Sequence, residues 1–194
     1  MKVSKEQAAR HREALIEAGS MLLKERGFDG ASVADISEKA GLTQGAFYRH
    51  FASKDALAAE ACRHACSENY SISLEMLGNP DTDMAAFIEN YLSSEHLDAV
   101  AEGCPMAAYA NEIRRQDKDI QAAFVSGFEQ YAELLQRTMP ESLDPKILKS
   151  RSQLIVAAMV GNLVIARALK ATDPILSQEI LQTAREELVA LATS

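Results

Sequence analysis

One short stretch of this sequence concentrates side chains that can bond phosphates and nucleic-acid bases. Its members are Thr43, Gln44, Tyr48, Arg49 and His50. Hydroxyl, amide, guanidinium and imidazole groups are the side chains that contact phosphate oxygens and base edges. No acidic residue lies between Glu38 and Asp55, although the whole chain carries a net charge of −8. This stretch is therefore a candidate surface for a nucleic acid.

Two short helices must position these side chains. Ser32 is a typical N-cap, and Asp35 is placed to complete a capping box with it. Gly41 fits the left-handed position that ends a helix, and Thr43 fits the N-cap of the next one. A pair of short helices joined by such a turn is typical of the helix-turn-helix, which places its second helix in the major groove of DNA.

The rest of the chain is predicted to be helical as well. Its 47% hydrophobic and 25% charged residues, with only five prolines, fit a packed core and long helices. We expect helices over about 5–26, 53–77, 82–97, 105–115, 118–138 and 175–192, and a helix apolar on nearly every face over 154–169. The expected architecture is all-α with about nine helices. A three-helix DNA-binding head (residues 1–52) is joined by a long fourth helix to a ligand-binding and dimerisation body (residues 53–194).

Charge is divided unevenly between these two parts. Residues 1–55 carry nine basic and eight acidic residues, so the remaining eleven basic and twenty acidic residues give the rest of the chain a net charge of −9. Because so acidic a chain is a poor general DNA binder, any DNA contact must be local. No apolar run reaches the roughly 18 residues of a membrane span, and the N-terminus has no apolar signal core. An odd number of cysteines suggests a reducing compartment, so we expect a cytoplasmic protein without a membrane partner.

The three cysteines offer an alternative chemistry. Cys62 and Cys66 lie one helical turn apart with His64 between them, and Cys104 could supply a third thiol. Such a set could bind a metal, or serve a helical thiol oxidoreductase or a redox sensor. The usual CxxC spacing is absent, however, and buried cysteines commonly act as small hydrophobes. No G-x-S-x-G, phosphate-binding loop or H-E-x-x-H motif is present either. We expect a protein that is not an enzyme and has no cofactor or metal.

Six segments between about Arg12 and Leu57 resemble the TetR (tetracycline-repressor) family of bacterial transcription regulators. They are Ile16-Glu-Ala18, Glu25-Arg-Gly-Phe28, Ser32-Val-Ala-Asp-Ile36, Ala40-Gly-Leu-Thr43, Gly45-Ala-Phe-Tyr-Arg-His-Phe51 and Ser53-Lys-Asp-Ala-Leu57. Their order and spacing match together over about a quarter of the chain. The body shows a weaker similarity to some members at Gly103-Cys-Pro-Met106.

The resemblance implies a homodimeric repressor that binds a near-palindromic double-stranded DNA operator and releases it when a small-molecule effector fills the body. Carried over by position, it implies DNA contacts from Ser32, Thr43, Gln44, Gly45, Ala46, Tyr48, Arg49, His50 and Lys54. Many members have a lysine where this chain has Gln44. An amide at that position could instead pair with an adenine edge.

The body carries two further sets of candidate residues. Those on apolar faces that could line the effector pocket are Phe87, Tyr91, Met106, Tyr109, Phe124, Phe128, Met159 and Asn162. Those on the last two helices that could form a four-helix dimer interface are Leu154, Ala158, Gly161, Ile165, Ile180, Ala184 and Leu188. The aromatic residues could equally be part of the hydrophobic core rather than the wall of a pocket. Asn162 could form a hydrogen bond across the dimer or to a ligand, and the sequence leaves both possibilities open.

Overall fold

The computed structural model describes residues 4–79, 83–140 and 142–193. The described residues are helical and contain no strand, which confirms the all-α prediction. The α-helices are α1 (Lys5–Gly30), α2 (Val33–Lys39), α3 (Gln44–His50), α4 (Lys54–Leu77), α5 (Met84–Tyr91), α6 (Ser94–Asp98), α7 (Pro105–Tyr109), α8 (Lys118–Gln136), α9 (Pro145–Leu169) and α10 (Pro174–Thr193). A short 3-10 helix, Ile113–Arg115, stands between α7 and α8.

Helices α2 and α3 begin and end where their local chemistry predicted, whereas α1 continues past the predicted end at Arg26 to Gly30, with a non-helical backbone at Gly27. Ser32 and Asp35 form a complete capping box on α2. The Thr43 hydroxyl caps α3 by accepting a hydrogen bond from the backbone N–H of Ala46 at 3.2 Å. Gly41 has a φ of 68°, which a residue with a Cβ rarely adopts. The chain can therefore turn sharply between α2 and α3.

One hydrophobic cluster holds the head helices against the first half of α4. Leu15 of α1, Phe47 of α3 and Leu57 of α4 have no exposed surface. The body joins the same cluster through Tyr109 of α7, whose ring centroid lies 5.0 Å from that of Phe28. The head is therefore fixed to the body by a shared core rather than by a flexible linker.

Helix α9 lies at the centre of the body and packs against both α8 and α10. Its most apolar 18-residue window has a mean hydropathy of 1.6, so its length and composition alone would allow a membrane span. The expectation that no segment is long and apolar enough was therefore wrong. One third of that window is buried within the subunit, and the face with Ile155, Met159 and Leu163 is completely buried. Leu154 and Ile165 leave another face of the helix open.

Two predicted helices are broken in the structure. Of the helix predicted over 82–97, the start at Thr82 lies outside the described residues, and the remainder forms α5 and α6. The break occurs because the Ser93 hydroxyl caps a new helix by accepting from the backbone N–H of His96 at 3.1 Å. The helix predicted over 105–115 ends at Tyr109 and is followed by the 3-10 helix.

Candidate nucleic-acid interface and body cavity

The exposed face of α3 carries most of the polar residues predicted to contact DNA. Gln44, Gly45 and Arg49 are exposed, and Tyr48 is 59% exposed. Phe47 is completely buried, and its ring centroid lies 5.2 Å from that of Tyr48. Because the buried phenylalanine fixes the rotation of the helix, the polar side chains are held outward as one surface.

His50 lies at the end of this surface in a positively charged setting. Its ring packs edge to face against that of His11, with the centroids 6.3 Å apart. Partial burial lowers the pKa of His50, and the neighbouring His11, Arg49 and Arg12 lower that pKa further. The lowered pKa favours the neutral imidazole at pH 7, and a neutral imidazole keeps one N–H that can donate a hydrogen bond to an anion.

Four other residues predicted to contact DNA have structural roles in the head. The exposed hydroxyls of Ser32 and Thr43 cap α2 and α3. The Lys54 ammonium donates to the carbonyl oxygen of Phe28 at 2.6 Å, which ties the start of α4 to α1. In contrast to the expectation, Ala46 is only 3% exposed, because it lies on the side of α3 that packs into the head. It offers little surface for a DNA contact.

A cavity of about 250 Å³ opens in the body between α4, α5, α8 and the segment that joins α6 to α7. Its apolar wall includes Ile72, Met76, Phe87, Tyr91 and Tyr131. Its polar lining includes Asn69, Ser73, Glu95, His96, Glu102 and Cys104. We call this space the body cavity. Two of the eight residues predicted for an effector pocket, Phe87 and Tyr91, line it.

The structure places the other six predicted pocket residues elsewhere. Met106, Phe124 and Phe128 line a separate apolar depression against α9. Tyr109 belongs to the core shared by head and body, and Met159 has no exposed surface. Asn162 lies in a groove between α9 and α10, where its amide nitrogen donates to the carbonyl of Ala158 in its own helix at 2.8 Å. The predicted set is therefore divided among separate sites.

His96 and Arg167 fix the segment that closes one end of the body cavity. The His96 ring donates from Nδ1 to the Tyr91 carbonyl at 2.6 Å, and its Nε2 accepts from the backbone N–H of Cys104 at 3.0 Å. Only a neutral ring satisfies both bonds, and burial lowers the pKa of His96. Arg167 reaches from α9 and donates to the carbonyls of His96 at 2.7 Å and Leu97 at 3.1 Å. No local pattern in the sequence points to this role of His96, because its partners become neighbours only when the chain folds.

The same segment contacts the head directly. The buried Lys24 of α1 places its ammonium 3.4 Å from the carbonyl oxygen of Gly103, which lines the body cavity. Burial lowers the pKa of Lys24. A second hydrogen bond connects head and body, because the backbone N–H of Phe28 donates to the Glu112 carboxylate at 2.9 Å. Gly27 makes room for it, because a Cβ at that position would lie 2.3 Å from the Glu112 Oε1.

The three cysteines are free and buried. A hydrogen bond with Cys62 raises the pKa of the Cys66 thiol, and burial raises it further. Burial also raises the pKa of Cys104. The hydrogen bond with Cys66 lowers the pKa of the Cys62 thiol, but Cys62 has no exposed surface. Reactive cysteines need an accessible thiolate, so the burial of all three cysteines does not favour thiol chemistry. Within the described parts of the chain, no group of three or more potential ligands is placed to hold a metal ion.

The residues predicted for a dimer interface fall into two groups. Leu154, Gly161 and Ile165 form an exposed stripe along α9, with the half-buried Ala158 among them. On α10, Ile180 is half-buried, whereas Ala184 and Leu188 are each only 6% exposed because they pack into the body of their own subunit. A partner that packs on α9 would meet the first group most directly.

Comparison with known proteins finds matches to both parts of the chain. A model described as bacterial regulatory proteins of the tetR family matches residues 15–61. A model of the C-terminal domain of LmrA/YxaF-like transcriptional regulators matches residues 80–179, about half of the chain.

Individual relatives agree with these matches. The HTH-type transcriptional repressor DhaR of Mycobacterium sp. (strain GP1) is 26% identical over 67% of this chain and 66%, just under two thirds, of its own length. The uncharacterized HTH-type regulator YwcC of Bacillus subtilis (strain 168) is 56% identical over 22% of this chain and 19% of its own length. The crystal structure of a TetR transcriptional regulator from Legionella pneumophila shares the fold, with a TM-score of 0.77 at 17% identity over 100% of both chains.

Proposed function

The chain belongs to the tetR family of bacterial regulatory proteins, and we propose that it is a repressor that binds a near-palindromic operator as a homodimer. The observation that carries this proposal is the exposed face of α3, where Gln44, Tyr48 and Arg49 lie side by side on a helix without an acidic residue. In this arrangement Tyr48 and His50 contact phosphates and fix the register of the protein. Gln44 and Arg49 then reach the base edges of the major groove.

Dimerisation places two copies of α3 on one face of the DNA. The two helices must stand about 34–36 Å apart to enter successive major grooves. The apolar stripe on α9 supports such a dimer, because Leu154 is 55% exposed and Ile165 is 50% exposed. Contiguous exposed apolar surface on a soluble protein commonly marks an interaction site. Covering this stripe with its copy on a second subunit would remove both side chains from water.

The body cavity is the site that we propose for a small-molecule effector. It is bounded by α4, which continues into the head, and by the segment whose Gly103 carbonyl faces Lys24 of α1. A ligand that moves either element would change the distance between the two α3 helices. To act as a switch, it must bind the two states with affinities that differ by about 1–3 kcal/mol. The protein would carry out this regulation in the cytoplasm, where its operator lies.

Selection of bound sequences from a random pool of double-stranded DNA tests the proposal. We expect a near-palindromic sequence to be enriched and to bind two subunits, or a multiple of two, in fluorescence anisotropy. Tyr48→Phe keeps the ring that packs on Phe47 and removes only the hydroxyl, so it should weaken binding about 2- to 10-fold on every sequence. Tyr70→Phe, outside α3, is the matched control. A pool without enrichment, together with weak binding that salt abolishes equally on all DNA, would contradict the proposal.

A further inference from the structure

We propose that the body cavity binds an uncharged molecule, about the size of one substituted aromatic ring, whose hydrogen-bond acceptor is held by Tyr91. This inference rests on the proposed function, since it names the chemical class of the effector for the cavity described above. Three features carry it: the apolar walls, a buried hydroxyl without a partner, and the placement of charged groups around the cavity.

The size and walls of the body cavity favour a small, flat, apolar molecule. Its volume of about 250 Å³ lies just below the roughly 300–1,000 Å³ usual for ligand sites. Ile72 and Met76 of α4 face it together with Phe87 of α5. The Tyr131 ring, whose centroid is 6.3 Å from that of Phe87, completes an aromatic corner. A single ring with a short substituent would fill this space.

One polar atom of a residue that lines the body cavity, the Tyr91 hydroxyl oxygen, has no hydrogen-bond partner among the described residues. Tyr91 is only 5% exposed, so water does not replace the missing bond freely. The Cys104 thiol lies beside the hydroxyl, but a thiol sulfur is a weak acceptor. Because buried polar groups are nearly always hydrogen-bonded, an acceptor on a ligand is the partner that this arrangement lacks.

Charged groups around the body cavity disfavour both kinds of ion. Two carboxylates, Glu95 and Glu102, line it and would repel an anion. A cation would be repelled by Arg167 and Lys24, which lie close enough to the neutral His96 to help lower its pKa. An uncharged ligand avoids both penalties.

Four probes of similar shape separate these possibilities: acetophenone, ethylbenzene, benzoate and 1-phenylethylammonium. The first has a carbonyl acceptor, the second has none, and the last two carry opposite charges. Each is titrated into the full-length ¹⁵N-labelled protein, and the amide shifts of Gly103 and Cys104 report binding in the body cavity. We expect acetophenone to bind most tightly of the four. Tyr91→Phe should weaken acetophenone about tenfold and leave ethylbenzene within twofold. Tyr70→Phe, outside the cavity, should change neither.

Tighter binding of either ion, or an equal effect of Tyr91→Phe on acetophenone and ethylbenzene, would overturn the inference. So would the absence of amide shifts near the cavity with all four probes. Operator binding by the same samples, measured without a probe, tests the proposed function separately. If the protein binds its operator but does not prefer acetophenone, only the proposed effector class is refuted. If the unmodified protein does not bind a specific operator, the proposed repressor function is refuted.

Discussion

Replacing Gly127 by alanine is expected to destabilise the protein, although alanine is the better helix former. Gly127 is buried in α8 opposite Cys66 of α4. A Cβ added at this position would lie 2.5 Å from the Cys66 Sγ and 2.8 Å from the Cys66 Cβ. Carbon atoms do not approach this closely without strain, so the two helices would have to separate or Cys66 would have to change rotamer.

Two effects of opposite sign decide the size of the change. Alanine in a helix interior is favoured over glycine by about 1 kcal/mol. Overpacking a close helix contact costs about 1–3 kcal/mol, because off-rotamer side chains and backbone shifts absorb the added volume. The contact at Gly127 involves both the sulfur and the Cβ of Cys66, which places it toward the upper part of that range. We expect a net loss of about 1–2 kcal/mol, or a Tm lower by about 2–8 °C.

Urea unfolding followed by circular dichroism at 222 nm, at a fixed protein concentration, measures the free energy of unfolding. Gly45→Ala is the matched control, because the nearest heavy atom to a Cβ there is the Thr43 Oγ1 at 3.9 Å. That variant should be neutral or slightly more stable. In a Cys66→Ala background the sulfur contact is gone, so Gly127→Ala should cost about 1 kcal/mol less. A Gly127→Ala protein as stable as the parent, or with the same cost in both backgrounds, would refute the packing argument.

Three further predictions follow from single residues. Gln44→Ala should relax recognition at one operator position, at a cost of about 1–3 kcal/mol measured on base-substituted operators, and uniform weakening on all of them would argue against base contact. Burial lowers the pKa of His96 below its ordinary 6.5, so the unfolded chain binds the proton first. The contribution of His96 to the free energy of unfolding should therefore be fully present above pH 6.5, and below pH 6.5 it should fall by up to about 1.4 kcal/mol per pH unit. Urea unfolding of His96→Gln at several pH values should show a smaller dependence on pH. A Cβ added at Gly161 would have no atom of its own subunit within 4 Å, so Gly161→Ala should leave the fold intact. If α9 packs closely on its copy, however, sedimentation equilibrium should show a weaker dimer.

Local signals in the sequence were sufficient for several helix caps, because the interactions that form them are local. The capping box at Ser32 and the cap at Thr43 join residues three positions apart, so the residue types alone identify them. The same holds for Ser53, which caps α4 by accepting from the backbone N–H of Ala56 at 3.1 Å. The break at Ser93 was missed because a serine inside an apolar helical pattern caps a new helix only when the chain turns there.

Helix caps and hydrophobic periodicity act over a few positions, so they were enough to predict the helix-turn-helix, the all-helical class and the polar residues of α3. The packing between helices settles which side of α3 is covered, so that Ala46 is buried while Tyr48 is exposed. It alone brought the Lys24 ammonium to the carbonyl of Gly103, 79 positions away. It also placed Tyr91 beside a cavity whose other walls come from α4 and α8. Such contacts depend on how whole helices pack, and a pattern along one helix carries no record of its neighbours.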